Sequence, residues 1–400
     1  MNPNIMISKK VSEMEESATI RMAQKSRDLA SKGVSVISLS LGEPDFDTPN
    51  FIKEAAYDAL KHGNTKYTPV PGLMELRKAI CQKFLTENNL HFSPSQIVVS
   101  NGAKQSIFNI CMATINPGDE VILLAPYWVS YIEIVKFAGG VPIVIKSDIS
   151  TNFKTNADEL RSFLTEKTKL LIFSSPCNPT GSVYGIDELN EIAEVLKEFP
   201  NVLVVSDEIY EYINFSSSHV SFGAIEGMDD RTATINGFSK GYAMTGWRLG
   251  YMGGPQWLAD ACNKVQGQVT SGAASFSQEA AIHALKNGKE EAEKMCVAFK
   301  QRRDLLLSKL HEIPGLKLNR PEGAFYIFMD VSSYFGKSDG KQVINNADDF
   351  AEAMLTEAHV GMVSGGAFGD DQCVRLSYAA SDEQLKMAAQ RIKEALSKFH

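Results

Sequence analysis

The sequence predicts an α/β protein in which a large doubly wound domain with a mostly parallel sheet is joined to a smaller α+β domain. Three observations predict it. Between residues 97 and 236, short β-branched runs alternate with longer helical patterns. Those runs are continuously apolar and bounded by turn residues, as strands covered on both faces must be. Beyond residue 300 the order changes to helix, strand, helix, strand, helix. A length of 400 residues agrees with two or three domains at roughly 150 residues each.

The first strand of the alternating region is Ile97–Ser100, followed by a glycine turn and a helix over Lys104–Ile115. Strands then follow at Glu120–Ala125, Val141–Lys146, Leu170–Ser174, Val202–Ser206 and Thr232–Asn236. In the last part, Arg302–Leu310 reads as helix, Ala324–Asp330 as strand, Asn346–His359 as helix and Val374–Tyr378 as strand. The final helix opens with a capping box, Ser381-Asp-Glu-Gln384, and carries Leu385, Ala389, Ile392 and Leu396 on one face. Gly336–Lys341 reads as a surface loop.

A chain that is 44% hydrophobic and 22% charged can bury a large core, which excludes disorder and fibre. Its formal charge is 40 − 48 = −8. With no basic stretch, nucleic acid and anionic membrane are excluded as principal partners. The six cysteines are scattered without a C-x-x-C pair, which suits a reducing compartment. The opening residues 1–17 lack the apolar core of a signal peptide, and no apolar run approaches the roughly 18 residues that span a bilayer. A cytoplasmic location is expected. None of the seven histidines has a metal-like neighbour along the chain, so all are read as structural or surface residues and no metal is expected.

In open parallel sheets, ligands bind beyond the carboxyl ends of the strands. After Ile97–Ser100 comes Asn101-Gly-Ala-Lys-Gln105, small residues at a helix N-terminus whose free N–H groups suit a phosphate. A glycine there for steric reasons alone is an equal reading. Beyond Val202–Ser206 stand Asp207, Glu208 and Tyr210. Carboxylates so close to a buried strand are costly unless a cation meets them. Asp207 is the candidate buried counter-ion, and Glu208 is expected to start a solvated helix. The rigid turn Pro176–Gly181 fixes Asn178 at the same edge, and Trp128 brings a flat ring there.

Two readings meet at Gly237-Phe-Ser-Lys-Gly241. As a nucleophile elbow it makes Ser239 a hydrolase serine, with Asp370 or Asp330 and His359 or His400 completing a triad. Alternatively Lys240 is the reactive group, an amine that attacks carbonyls when its surroundings keep it neutral. Only the second gives work to the phosphate-type turn, Asp207 and Asn178, by placing an aldehyde cofactor with a phosphate, a ring nitrogen and a ring hydroxyl among them.

At these residues the sequence resembles the fold-type I aminotransferases that use pyridoxal 5′-phosphate (PLP), in particular the bacterial-type subgroup of the aspartate aminotransferase family. The stretch from Gly237 through Lys240 and Arg248 to Gly250 matches the family's lysine signature. Further blocks match in order from about Ser17 onward: Ser40–Pro49, Lys66–Pro69, Tyr127-Trp128, Asn178–Gly181, Ser206–Tyr210 and Arg375–Tyr378. The resemblance implies that Lys240 holds PLP and shuttles a proton, and that Asp207 pairs with the ring nitrogen. It implies that Tyr210 and Asn178 bond the ring oxygen and that Trp128 stacks on the ring. Gly102, Ala103, Lys104 and Arg248 would grip the phosphate, with Tyr67 reaching across from the partner subunit of a homodimer. Arg375 would take the substrate α-carboxylate in a fork that lysine cannot copy, beside Gly42. The division implied is an arm with part of the small domain over 1–48, a PLP-binding domain over 49–295 and a small domain over 296–400.

The activity implied is transfer of the amino group of L-aspartate to 2-oxoglutarate in two ping-pong half-reactions. Lys104 and Thr19 stand where relatives meet the distal carboxylate. Glu15 stands where relatives that also accept prephenate carry a lysine, which argues against prephenate here. Aromatic or neutral amino-acid specificity, or β-lyase chemistry, are the alternatives on the same scaffold. Cys177 and Gly237 depart from the family's usual residues, and Gly237 is expected to loosen the phosphate site.

Overall fold

The computed structural model describes residues 6–216 and 219–400. Among the described residues thirteen strands run β1 Ile37–Ser38, β2 Ile97–Ser100, β3 Glu120–Ala125, β4 Val141–Lys146, β5 Thr168–Ser174, β6 Leu203–Asp207, β7 Thr232–Gly237, β8 Gly250–Gly253, β9 Lys317–Leu318, β10 Tyr326–Asp330, β11 Val360–Gly361, β12 Val363–Ser364 and β13 Cys373–Ser377. Seven form one sheet in the order β2-β8-β7-β6-β5-β3-β4. Its pairings are parallel apart from β8, which lies antiparallel to both β2 and β7. The order departs from the chain order where parallel crossovers demand helices, and helices accordingly cover both faces.

Burial explains why the strands read as unbroken apolar runs. Val121, Leu123, Ile172, Val205 and Ile235 enter one core layer, while Ile122, Leu171, Phe173 and Val204 enter the layer on the opposite face. The predicted strands are all present, shifted by a residue or two at their ends. In the large sheet sequence reasoning missed β8, because Gly-Tyr-Met-Gly has little β-branched character; outside it the two-residue strands β1, β9, β11 and β12 are too short to leave a periodic signal. The helix expected at Arg302–Leu310 is far longer, Lys289–Leu310.

A second, antiparallel sheet has the order β12-β13-β10-β9. β1, near the N-terminus, pairs in parallel with β11, so the first segment of the chain packs with the last. The closing helix Asp382–Leu396 has the predicted capping box, and Leu385, Ala389, Ile392 and Leu396 are buried. The six cysteines are free. Among the described residues no helix is long and apolar enough to cross a membrane.

Register decides what the sheet delivers at its edge. Asp207, the last residue of β6, lies level with Ser174 of β5 and Ile235 of β7. The next residue corrects an expectation: Glu208 is no solvated helix start but is 1% exposed. Its carboxylate accepts from Ser206 Oγ at 2.8 Å, Ser221 Oγ at 2.6 Å and His219 Nε2 at 2.8 Å. Beside it, buried Lys83 is paired with Glu211 and donates to Asn88 Oδ1 at 2.6 Å. Asn88 in turn donates to Glu211 Oε2 at 2.8 Å and to Ser221 Oγ at 2.7 Å.

This network also corrects the reading that no histidine has a metal-like neighbour. The ligand atoms of Glu208, Glu211 and His219 lie within 4.8 Å of one another, a trio that chain spacing did not reveal because a loop folds back on β6. The Lys83 ammonium already supplies the positive charge that Glu211 needs. Burial alone would push the Glu211 carboxyl up, but Lys83, His219 and the Asn88 hydrogen bond hold it below its ordinary value. Lys83→Met should therefore destabilise the fold by about 3–5 kcal/mol at pH 7, since it strands a buried charge. The loss, measured by denaturant unfolding, should shrink at pH 5 and below as Glu211 takes up a proton.

Candidate functional site

The carboxyl ends of β5, β6 and β7 open into a cavity of about 330 Å³. Thr19, Gly42, Ala103, Lys104, Trp128, Asn178, Asp207, Tyr210, Lys240, Arg248 and Arg375 all line it. Residues separated by 356 positions in the chain thus meet in one place, Thr19 against Arg375 (375 − 19 = 356). Gly102 sits just behind the wall, where an added Cβ would lie 2.6 Å from Arg248 Nη2. Tyr67 is not in the cavity; its side chain is 98% exposed.

Asp207 is 4% exposed. Its Oδ2 accepts from the Tyr131 hydroxyl at 2.6 Å and its Oδ1 from the Ile209 N–H at 3.3 Å. Burial raises its pKa to about 6, against the opposing pull of the Tyr131 hydrogen bond and of Lys240. Lys240 follows β7, and its Nζ donates to the Gly42 carbonyl at 2.5 Å. Burial lowers the Lys240 pKa to about 8; Glu43 opposes that shift, while Arg375 and Arg248 add to it.

Arg375 projects from β13 and is 1% exposed. Its Nη1 donates to Asn178 Oδ1 at 2.8 Å and its Nη2 to the Ser40 carbonyl at 2.6 Å. The guanidinium also lies 4.4 Å from the Tyr326 ring centroid. Its Nε has no hydrogen-bond partner, and among the described residues it forms no salt bridge with a carboxylate. A buried cation without an anion is costly, so this corner is suited to an anion.

A second corner suited to an anion stands at the start of the helix Ala103–Thr114. Gly102, with φ 85°, turns the chain into that helix, leaving its first N–H groups unpaired within the helix. Arg248, itself at φ 53°, folds back so that Nη2 lies 3.4 Å from the Asn101 carbonyl. Partial burial and then the Arg248 charge lower the pKa of Lys104, whose Nζ lies 4.9 Å from the Trp128 ring centroid. Glycine at 250 is required, because a Cβ there would collide with the backbone of Gly102 and Ala103. Gly237 is equally constrained: a Cβ would come within 2.9 Å of Gly250 Cα. Its departure from the family's usual residue is thus matched by a close approach of β7 to β8.

Ser239 also lines the cavity, but no histidine does. His359 Nδ1 is engaged with the Leu355 carbonyl, and Asp330 with Lys317 and Ser332. The hydrolase triad is not assembled. Sequence reasoning missed Tyr131 and Tyr326. Tyr326 places its hydroxyl 2.8 Å from that of Tyr210. A signal for Tyr131 was its i+3 spacing from Trp128 at a helix start; Tyr326 carried none until β10 paired with β13.

Comparison with known proteins decides what this site belongs to. A model of the family described as aminotransferase class I and II matches residues 34–392. The chain belongs to the class I and II aminotransferases. A bifunctional aspartate aminotransferase and glutamate/aspartate-prephenate aminotransferase of Petunia hybrida is 49% identical over 98% of this chain and 83% of its own length. An aspartate/prephenate aminotransferase of Cereibacter sphaeroides is 45% identical over 97% of this chain and 98% of its own. Among solved structures, the aspartate aminotransferase of Rhizobium meliloti superposes with a TM-score of 0.95 at 40% identity, covering 98% of this chain and 99% of that one. The fold is therefore that of the fold-type I aminotransferases, as the motifs implied.

The residues suit the cofactor that this aminotransferase family implies. An anion is wanted at the Gly102–Arg248 corner, a carboxylate waits at Asp207, and between them lies an amine whose pKa is depressed. Competitive acetylation across a pH series should show Lys240 reacting with a midpoint near pH 8, while exposed lysines follow a midpoint of about 10.4.

Proposed function

We propose that this chain is a PLP-dependent aspartate:2-oxoglutarate aminotransferase, yielding oxaloacetate and L-glutamate in two half-reactions. The observation that carries the proposal is the convergence, around the Lys240 amine, of one buried carboxylate and two cationic corners that lack anions. When bound, PLP supplies the electron sink that makes the substrate α-proton acidic. Lys240 would hold the cofactor and, once displaced, take and return the proton at the substrate α-carbon. Asp207 would face the ring nitrogen, Tyr210 and Asn178 the ring oxygen, and Trp128 the ring face. Gly102, Ala103, Lys104 and Arg248 would hold the phosphate. Arg375 beside Gly42 would take the α-carboxylate, with Thr19 and Lys104 toward the distal carboxylate. A Thermus thermophilus aspartate aminotransferase with maleate, 41% identical with a TM-score of 0.92, supports a dicarboxylate in such a cavity.

In this reading the enzyme is a cytoplasmic homodimer. Tyr67, exposed in the single chain, would complete the partner's phosphate site. The unit over 49–295 would bind the cofactor, while 1–48 and 296–400 would form the small domain, as the β1–β11 pairing supports. Borohydride treatment of the PLP-loaded protein should leave the cofactor's mass on the peptide containing Lys240. Lys240→Ala should lower aspartate turnover by about 10²–10⁴-fold or more. A label on another lysine, or no retained PLP, would overturn the proposal.

A second reading adds prephenate as an acceptor, because several relatives carry that activity in their names. A larger cavity of about 860 Å³ shares Lys104 with the first and is lined by Phe108, Phe137 and Met22. Glu15 also lines it, with its backbone N–H donating to Glu133 Oε2 at 3.1 Å. On this lining Glu15, Glu16, Glu133, Asp348 and Glu352 outnumber Arg21, Lys25 and Lys104, which disfavours a dianionic acceptor by like-charge repulsion. Glu15→Lys should raise kcat/KM for prephenate by about tenfold, a change worth roughly 1.4 kcal/mol. The aspartate value should stay within about a factor of two to three, or under about 0.7 kcal/mol. Steady-state kinetics with both acceptors checks it.

A further inference from the structure

Tyr131 is a fully buried residue that the family motifs left without a role. It stands in the first turn of the helix Ser130–Ala138 and is 0% exposed. Its hydroxyl makes the 2.6 Å hydrogen bond to Asp207 Oδ2 described above. Its ring packs edge-on against Trp128, with centroids 5.5 Å apart and planes at 86°. One side chain therefore touches both groups expected to flank the cofactor ring: the carboxylate at its edge and the indole on its face.

We propose that Tyr131 is a positioning residue that acts through Asp207 and Trp128, holding the carboxylate ionised and oriented toward the cofactor's ring nitrogen. This rests on the PLP reading above. The physical case begins with the carboxylate's surroundings. Asp207 is buried among Tyr131, Tyr210, Cys177, Glu208 and the Lys240 amine. Glu208 repels its charge, Lys240 attracts it, and the side-chain donor on it is Tyr131. A hydrogen bond from a neutral hydroxyl to a buried carboxylate favours the ionised form. Tyr131 itself cannot compete for that charge, since burial and then the Asp207 carboxylate hold its own pKa well above the ordinary value. The edge-on contact with Trp128 works in a second direction: it restrains the indole, and aromatic pairs of this geometry are favourable beyond their buried area.

The sign of the pH effect follows. Without the Tyr131 hydroxyl, the Asp207 pKa rises, so acidification protonates the carboxylate at a higher pH and releases a cofactor that depends on it. Three measurements on the full-length protein test this. The first is the dissociation constant for PLP, from equilibrium dialysis of the apo-protein. The second is the pH midpoint at which loaded protein loses PLP on acidification. The third is the visible spectrum of the loaded protein. Tyr131→Phe keeps the ring and the Trp128 contact and removes only the hydroxyl. It should weaken PLP binding by about tenfold or more, the range for a hydrogen bond to a charged group. It should also raise the acid midpoint by about one pH unit.

In an Asp207→Ala background, Tyr131→Phe should change the PLP constant by less than about a factor of two, because the two groups act as one unit. Should Tyr131→Phe fail to fold, 3-fluorotyrosine at 131 preserves the packing and strengthens the donor, and should lower the acid midpoint instead. If wild-type protein retains no PLP, the functional reading falls and the role of Tyr131 with it. If wild-type protein retains PLP while Tyr131→Phe matches it in affinity, acid midpoint and spectrum, the role of Tyr131 alone is overturned. An unshifted midpoint with fluorotyrosine, or a full Tyr131→Phe effect in the Asp207→Ala background, overturns it equally.

Discussion

A carboxylate held nearly buried at the end of a strand is the constraint around which this protein is built. Asp207 sits at the end of a strand enclosed on both faces, and burial pushes its pKa up to about 6. Left alone, such a group takes a proton or swings toward solvent. Here it is pinned by Tyr131 and the Ile209 N–H on one side, with the Lys240 amine across the cavity. Directly behind it, Glu208 and Glu211 are tied through Ser221, Asn88, His219 and Lys83 into a buried polar network, in which His219 Nδ1 is left without a hydrogen-bond partner. The β6 end is therefore braced from the rear by one set of charges while it presents another to the cavity.

The opposite wall is governed by charge without compensation. Arg375, Arg248, Lys104 and Lys240 converge, and among the described residues the cavity wall offers them only Asp207 and Glu43 as carboxylates. In the proposed reading, phosphate and carboxylate ligands would meet the cost of enclosing these cations, and the burial that lowers the Lys240 pKa to about 8 would strengthen their binding. A site of this design ties substrate recognition to the state of its amine. The net charge of −8 says nothing of this, because a whole-chain sum does not record that Lys104, Lys240, Arg248 and Arg375 share one cavity.

Much of the fold was legible in the chain. The runs at 120–125 and 202–206 announced enclosed strands because both of their faces are apolar, and the capping box at Ser381 announced the last helix; the run at 141–146 read the same way but forms the partly exposed edge strand β4. β8 escaped, since Gly250 serves the close approach of β7 and the Ala103 helix start, and Gly253 makes room for Phe92, neither of which is strand propensity. Lys240, Asp207, Asn178 and Arg375 could be singled out by their places after strands or within family motifs. Glu208 was misjudged. Its neighbour in sequence is a cavity residue, but alternation along the strand sends Glu208 to the opposite side, where a loop with His219 and Ser221 covers it.

Local sequence determined the strands, the helix starts, the phosphate-type turn and the chemistry of the lysine, because each depends on periodicity or on residues a few positions apart. Only the tertiary structure decided which charges are paired. That Arg375 is buried beside Asn178 without an anion, that Tyr131 reaches Asp207 across 76 positions, and that Lys83 neutralises Glu211 are consequences of sheet order and register. Hydrogen bonds and ion pairs act over a few ångströms of space, and distance along the chain carries no record of which groups the fold will bring that close.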